Sequence, residues 1–375
     1  MTIGLNASIS AMIALKTSEQ PRSFTGRFNV KKTIAIVLVT VSVLAFALPS
    51  SAGVIYWNTS TTVDTWNRVD SAGGTPQTIL SQPGSTGSGI AIDPTAGYMY
   101  SGDANHLFRT NLDGSGRVNL VSTDVNRGDV ELDLVHGKVY WSTAWQSNPT
   151  SQFGIWRANL DGTGAEKIVP IGPLDMAGGI ALDPAGGKMY WAMTPSYWGN
   201  QHQAAIMSAN LDGTGVSTFR SLQVSPYPNT AHETFPGDVE IDPQSGKLFW
   251  SEVDFERANT RPNRIRSADL VGTGTSTLLS PSFDLGPWAL AVDPSSGELY
   301  FSDNIAGPNH IYRMNYDGTG LETVLTDPNW IGHLEYADLR GSNVPEPASL
   351  VVWLIGGTAV MGYARLRRRR KGHAE

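Results

Sequence analysis

From about residue 54 the chain alternates short apolar runs with turn residues at a nearly constant spacing. One unit reads GIAIDPTAGYMYSGD (Gly89–Asp103). It recurs as DVELDLVHGKVYWSTA (Asp129–Ala144), GIALDPAGGKMYWAMT (Gly179–Thr194), DVEIDPQSGKLFWSEV (Asp238–Val253) and LAVDPSSGELYFSDN (Leu290–Asn304). A second unit falls between these copies: NLDGSG at Asn111, NLDGTG at Asn159 and Asn210, DLVGTG at Asp269 and NYDGTG at Asn315. Each copy of the first unit is two strands around an Asp-Pro-x-x-Gly turn, where Pro presets φ and Gly supplies positive φ. Each copy of the second is two more strands around Asp-Gly, a strong hairpin signal. Four strands in a period of about 48 residues have the size of a propeller blade.

The two ends of the array set the blade count. It opens at Val54-Ile55-Tyr56-Trp57, a second strand without a first, and closes at His333-Leu334-Glu335-Tyr336-Ala337-Asp338, a first strand without a second. These halves complete one another, which removes an exposed sheet edge. The pattern therefore predicts an all-β, six-bladed β-propeller of four-stranded antiparallel blades, its ring closed by pairing of the N- and C-terminal strands of the mature chain. Trp57, Trp141, Trp191 and Trp250 are expected in the core between blades.

Composition agrees: 40% hydrophobic residues rule out wholesale disorder, and 40 Gly with 22 Pro suit a turn-rich β chain. With no cysteine there is no disulfide framework, and a core this size needs none. Charge is segmental. Residues 1–53 and residues 345–375 each carry +4, so the formal total of −7 leaves −15 between them. An acidic middle argues against nucleic acid as a partner.

The basic ends read as targeting segments. Lys31-Lys32, the apolar run Thr33–Pro49 and the small residues Ser50-Ser51-Ala52 describe a signal peptide over residues 1–52, cut after Ala52. The residues upstream are long for such a segment, and Val30 is an alternative start. At the other end Pro345-Glu346-Pro347 precedes a mostly apolar stretch, 348–364, near the minimum for a membrane span, and then Arg365, Arg367–Arg370 and Lys371. Residues 342–375 thus resemble the PEP-CTERM sorting signal. That resemblance implies a Gram-negative-type envelope, a transient inner-membrane anchor and removal by an exosortase-type protease. The mature form would reside at the cell surface or in the extracellular matrix.

The repeats themselves, with Tyr140-Trp141-Ser142, Tyr190-Trp191-Ala192 and Phe249-Trp250-Ser251 each following an Ile/Val-x-x-Asp start, resemble YWTD repeats, the class B repeats of the low-density lipoprotein receptor family. The likeness runs over nearly all of residues 53–341. No blade holds the full tetrad, and Ser101 and Phe301 replace Trp. The resemblance implies an extracellular propeller that binds proteins through one face; the ligand does not transfer with the fold.

In a propeller the first-to-second and third-to-fourth turns share one face. Here those turns are near-constant, so the opposite, loop-bearing face is where a ligand is expected. Its loops carry Trp145, Phe153, Tyr197, Trp198 and His202, and a blade-joining loop adds Tyr227, His232 and Phe235. Aromatics on a polar face suit sugar stacking or protein contact, and equally well pack their own loops.

A sharper pattern lies two residues before the repeated Asp: Glu335, Ala91, Glu131, Ala181, Glu240, Ala291, a strict alternation round the ring. Asp129, Asp238 and His333 start the three Glu strands. First strands are innermost, so the glutamates should converge on the axis near the loop-bearing face. Oxygen-only ligands there suit Ca²⁺; equally, Glu alternating with Ala fills an axial gap. The repeated Asp93, Asp133, Asp183, Asp242, Asp293 and Asp338 read as turn and strand-end hydrogen-bonders.

Three functions fit: an exported interaction protein binding envelope or matrix polysaccharide or protein, a lactonase-like metal-dependent hydrolase using the axial carboxylates, or a purely structural surface protein. No Gly-x-Ser-x-Gly or His-Glu-x-x-His motif occurs, which favours the first.

Overall fold

The computed structural model describes residues 53–59, 63–83, 88–123, 128–143, 153–172, 175–195, 204–222, 235–253, 263–282, 285–303 and 308–339. Among them are 24 strands in six four-stranded antiparallel sheets. Blade 1 joins the two ends of the array, in the order β24 (Ile331–Asp338), β1 (Gly53–Thr59), β2 (Val63–Asp70) and β3 (Gln77–Pro83). Blade 2 is β4 (Ile90–Asp93), β5 (Tyr98–Gly102), β6 (His106–Asn111) and β7 (Val118–Ser122). Blade 3 is β8 (Val130–Asp133), β9 (Lys138–Thr143), β10 (Gly154–Asn159) and β11 (Glu166–Pro170). Blade 4 is β12 (Asp175–Asp183), β13 (Lys188–Pro195), β14 (Ala205–Asn210) and β15 (Ser217–Ser221). Blade 5 is β16 (Phe235–Asp242), β17 (Lys247–Val253), β18 (Asn263–Asp269) and β19 (Ser276–Ser282). Blade 6 is β20 (Pro287–Asp293), β21 (Glu298–Asp303), β22 (Asn309–Asn315) and β23 (Glu322–Asp327).

The chain is thus a six-bladed propeller closed as the pattern predicts. Val54 pairs with Ala337, Ile55 with Tyr336 and Tyr56 with Glu335. The first strands touch in an unbroken cycle, β24–β4–β8–β12–β16–β20 and back to β24. No described helix is long and apolar enough to cross a membrane; segment 348–364 and both proposed targeting ends lie outside the described residues.

The core lies between blades. Each of six apolar clusters bridges one seam, as when Val54, Tyr56 and Trp66 of blade 1 meet Ile90, Met99 and Phe108 of blade 2. Trp57, Trp141, Trp191 and Trp250 occupy four other seams and are essentially inaccessible. Flat blades can stack radially only if each hides both faces, and large aromatic side chains fill the wedge between them.

The near-constant turns have specific work. Asp93 Oδ1 accepts hydrogen bonds from Thr95 N and Ala96 N, and Asp133, Asp183, Asp242 and Asp293 cap their own turns in the same way. In the Asn-Leu-Asp-Gly units the aspartate accepts from the residue two positions on, as Asp161 does from Thr163 N at 2.9 Å. Their glycines also dock blades. Gly114 (φ 82°) lies where any Cβ would overlap the Ile79 carbonyl of the preceding blade, and Gly213 (φ 83°) is held likewise against Ile168.

A second recurrent device follows the Trp position of the second strand. Ser142 Oγ accepts from Asp129 N of its own blade (2.8 Å) and donates to Gly178 O of the next (2.8 Å). Ser251 does the same between Asp238 N (3.0 Å) and Trp288 O (2.9 Å). In blade 1 the position is Asn58, whose Oδ1 accepts from His333 N at 3.1 Å while Nδ2 donates to Ser88 O. One buried side chain therefore ties the C-terminal strand, the N-terminal strand and blade 2 together.

Asn58→Ala removes a donor to the Ser88 carbonyl and the acceptor of the His333 amide at a fully buried position. It should cost about 1–3 kcal/mol in denaturant unfolding. Asn58→Ser, the residue of blades 3 and 5, should recover part of that loss. An alanine variant as stable as the parent would remove this latch from the account.

Candidate functional site

The innermost strands bring two layers of charged side chains to the axis. Glu131 (β8), Glu240 (β16) and Glu335 (β24) converge, with one carboxylate oxygen from each lying within 4.8 Å of the others. They line a cavity of about 280 Å³ together with Ala181, Leu182, Ile241, Val292, Pro294, Tyr336 and Asp338. Each glutamate is partly exposed, and the surface it is exposed to is this cavity.

The cavity lies elsewhere along the axis than expected. All its lining residues stand at the Glu/Ala level or later in their strands, so it belongs to the Asp-Pro-turn half of the axis and not to the loop-bearing half. The first strands run from the loop-bearing face towards the turns, and the glutamates sit only two residues before the aspartates that begin those turns.

Asp129, Asp238 and His333 form the layer towards the loop-bearing face. Asp129 accepts from Val130 N (2.9 Å) and, across the seam, from Ile180 N (2.8 Å). Asp238 accepts from Val239 N (2.9 Å) and Leu290 N (2.9 Å). Both carboxylates are therefore clamps between a Glu blade and the following Ala blade. Room for them comes from Gly89 and Gly179, since a Cβ at either would collide with the carboxylate. His333 Nδ1 stands 3.4 Å from Asp129 Oδ1. These three residues belong to the clamp, and the converging ligand set is the three glutamates.

Desolvation and mutual repulsion govern the glutamates. Burial, followed by the charges of neighbouring carboxylates, holds Glu131 and Glu240 well above the usual carboxylate range. Glu335 is pushed up to about 8 by burial and by Asp129 and Asp238, and Asp238 to about 7 by burial and Asp129. For His333, burial favours the neutral ring, but the hydrogen bond and charge of Asp129 with the charge of Asp238 prevail, raising its pKa. Such a triad can share protons or accept a divalent cation.

On the loop-bearing face, Trp145, Tyr197, Trp198, His202, Tyr227 and His232 lie outside the described residues. Phe153 is partly buried just before β10. Phe235, expected in a joining loop, instead opens β16, pairs with Val253 and is 6% exposed. The second-to-third connections differ sharply round the ring. They span 60–62, 103–105 and 304–308 in blades 1, 2 and 6, but 144–153, 196–204 and 254–262 in blades 3, 4 and 5. The long loops thus occupy three consecutive blades.

Sequence reasoning passed over one feature of this face. The residue before the clamp position is Ser88, Gly128, Gly178, Gly237 or Gly332 in five blades, but Trp288 in the sixth. A Cβ at Gly237 would stand 3.2 Å from the Trp288 ring. Trp330, in the connection between β23 and β24, meets that ring edge-on, with centroids 6.1 Å apart and planes at 61°. The signal was a lone Trp in an otherwise small-residue column.

These features define a closed six-bladed propeller of YWTD-like repeats. No protein-family model matches the chain. Among curated proteins, it is 24% identical over 270 residues to low-density lipoprotein receptor-related protein 1 of Pyricularia oryzae, covering 63% of this chain and 80% of that protein. It is 23% identical over 216 residues to protein cueball of Drosophila willistoni, 56% of this chain but 30% of the relative's length. Of solved structures, one from a nidogen/laminin complex superposes with a TM-score of 0.58 at 17% identity, covering 76% of this chain and 98% of the other. TolB of Acinetobacter baumannii gives 0.56 at 13% identity, with coverage of 84% and 74%. These structural likenesses establish the fold alone.

A carboxyl whose pKa is raised on folding lends stability that is complete below its unfolded value and is lost as pH climbs through the folded one. Unfolding free energy should therefore fall between the ordinary glutamate value of 4.5 and about 8. The Glu131→Gln, Glu240→Gln double variant, which removes two of the raised carboxyls, should flatten that fall. Urea unfolding of both proteins, buffered without divalent ions, measures this; parallel pH curves would contradict the electrostatic account.

Proposed function

We propose that this chain is an exported interaction protein of a bacterial cell envelope or extracellular matrix, binding polysaccharide or protein through its loop-bearing face. The observation carrying this reading is the contrast between the faces. One is occupied by turns whose side chains cap their own backbone and dock the neighbouring blade. The other holds long connections concentrated in blades 3–5. A rigid ring with one rim of near-identical turns and one arc of long, unlike loops is built to present those loops. The similarity to a low-density lipoprotein receptor-related protein supports an interaction role. Residues 1–52 would direct export, and residues 342–375 would act as a PEP-CTERM-type signal for an exosortase-like protease.

Mass spectrometry of the protein recovered from an exporting Gram-negative host tests the processing. The product should begin at Gly53 and lack the Arg365–Lys371 cluster. Retention of both ends in a cytoplasmic fraction would overturn the export reading. For the face, replacing loops 144–153 and 196–204 with short turns should abolish retention on isolated matrix material without lowering the melting temperature by more than a few degrees. Unaltered retention would exclude those loops.

The convergence of Glu131, Glu240 and Glu335 within 4.8 Å favours a second reading, a Ca²⁺ site on the axis. Calorimetric titration with Ca²⁺ at about pH 8, where Glu335 loses its proton, should give binding that Glu131→Gln, Glu240→Gln abolishes. Equal heats for both proteins would dismiss the site. The lactonase-like extension lacks support among the described lining residues, which offer no Asn or His beside the carboxylates.

A further inference from the structure

We infer that Trp288 and Trp330 form a stacking platform for a neutral pyranose ring of a polysaccharide, on the loop-bearing face at the seam between blades 6 and 1. The inference rests on that face being the binding face and names both the ligand class and the place.

Trp288 is placed for this by its neighbours. It packs against the apolar seam that contains Ala289 and Ile331, and the missing side chain of Gly237 lets its ring sit close against that backbone. Trp330 completes the platform and is 37% exposed, although a large aromatic in a propeller normally disappears into a seam. Nothing in the packing of blade 1 requires an indole at this point: its seam is already filled by Trp57, Leu334 and Ile331.

The segment bearing Trp330 is held at several points. Asp327 Oδ2 accepts from Trp57 Nε1 at 3.0 Å, and its Oδ1 accepts from Asn329 N at 2.9 Å. Asn309 Nδ2 donates to Asn329 O at 2.7 Å. A pre-ordered aromatic loses little conformational entropy when a ligand arrives. Asp327 and Asn329, within three residues of Trp330, supply polar groups next to it along the chain.

This chemistry selects a sugar. A pyranose carries a flat patch of C–H groups that stacks on an indole, ringed by hydroxyls that suit a polar rim. The apolar area is that of two rings, far below the roughly 800 Å² per partner of a stable protein interface. The acidic middle of the chain, at −15, and Asp327 nearby disfavour uronate-rich polymers, so the ring is neutral.

The test titrates the full chain, by tryptophan fluorescence and affinity electrophoresis, with cellohexaose, chitohexaose and alginate. Trp330→Ala should weaken binding of at least one neutral oligosaccharide about tenfold or more, while Trp330→Phe stays within about threefold. Because Trp330 is 37% exposed and lies outside the seam cluster, the alanine variant should stay folded, with a melting temperature lowered by no more than a few degrees. Neutral-sugar binding that Trp330→Ala leaves unchanged would overturn the platform, as would binding of alginate alone or of none of the three. Retention on matrix material that persists in Trp330→Ala would meanwhile leave the loop-bearing face as the binding face, separating the two failures.

Discussion

The pairing of β24 with β1 is the contact on which the rest of the molecule depends. Without it blade 1 would lack its innermost strand, and the cycle of first strands would be open at both ends. With it, Glu335 arrives opposite Tyr56 and joins two glutamates supplied by blades 3 and 5. The same pairing sets His333 beside Asp129, more than half the chain away in sequence. Asn58 secures the joint with an amide where blades 3 and 5 use a serine hydroxyl, its Oδ1 accepting from His333 N and its Nδ2 donating to Ser88 O.

Blades of one design are here used in alternation. Those with Asp or His at the clamp position and Glu at the axis alternate with those carrying Gly or Ala at both. The alternation is steric before it is electrostatic. Asp129 and Asp238 each need a neighbour without a side chain, and each accepts a hydrogen bond from the following blade's backbone. Crowding three carboxylates below this clamp layer destabilises their charged forms, so the axis stores a demand for protons or a cation. The turn-side cavity and the loop-bearing face are therefore chemically separate. The former is acidic and threefold in plan; the latter is aromatic and unevenly distributed, with long loops on one arc and the Trp288–Trp330 pair on another.

The repeat made most of the architecture legible. Period, turn chemistry and the complementary half-blades gave six blades and their closure, because a propeller reuses one local pattern and each copy reinforces the others. The Glu/Ala alternation could be read for the same reason: innermost strands and a fixed offset from Asp-Pro force equivalent residues to equivalent places. Less legible was the level of the cavity along the axis. Phe235 shows a similar limit: it precedes the recognisable strand pattern, and a β-bulge carries the pairing past that pattern to include it. The apolar character of Trp288 fits a strand as readily as a platform; only its neighbour Trp330, remote in sequence, distinguishes them.

What the amino-acid order alone determined is the set of local choices that repeat: where strands start and stop, which residues face the seams, and that both ends of the array are incomplete. These rest on short-range sterics and on period-two burial, which act over a few residues. The tertiary structure alone decided which repeated residues carry charge to a common point and which spend their oxygens on backbone amides. Asp129 and Glu131 are two residues apart and chemically alike, yet one clamps blades and the other faces a cavity. That difference arises from the depth at which the closed ring places each of them, and depth is a property of the assembled whole.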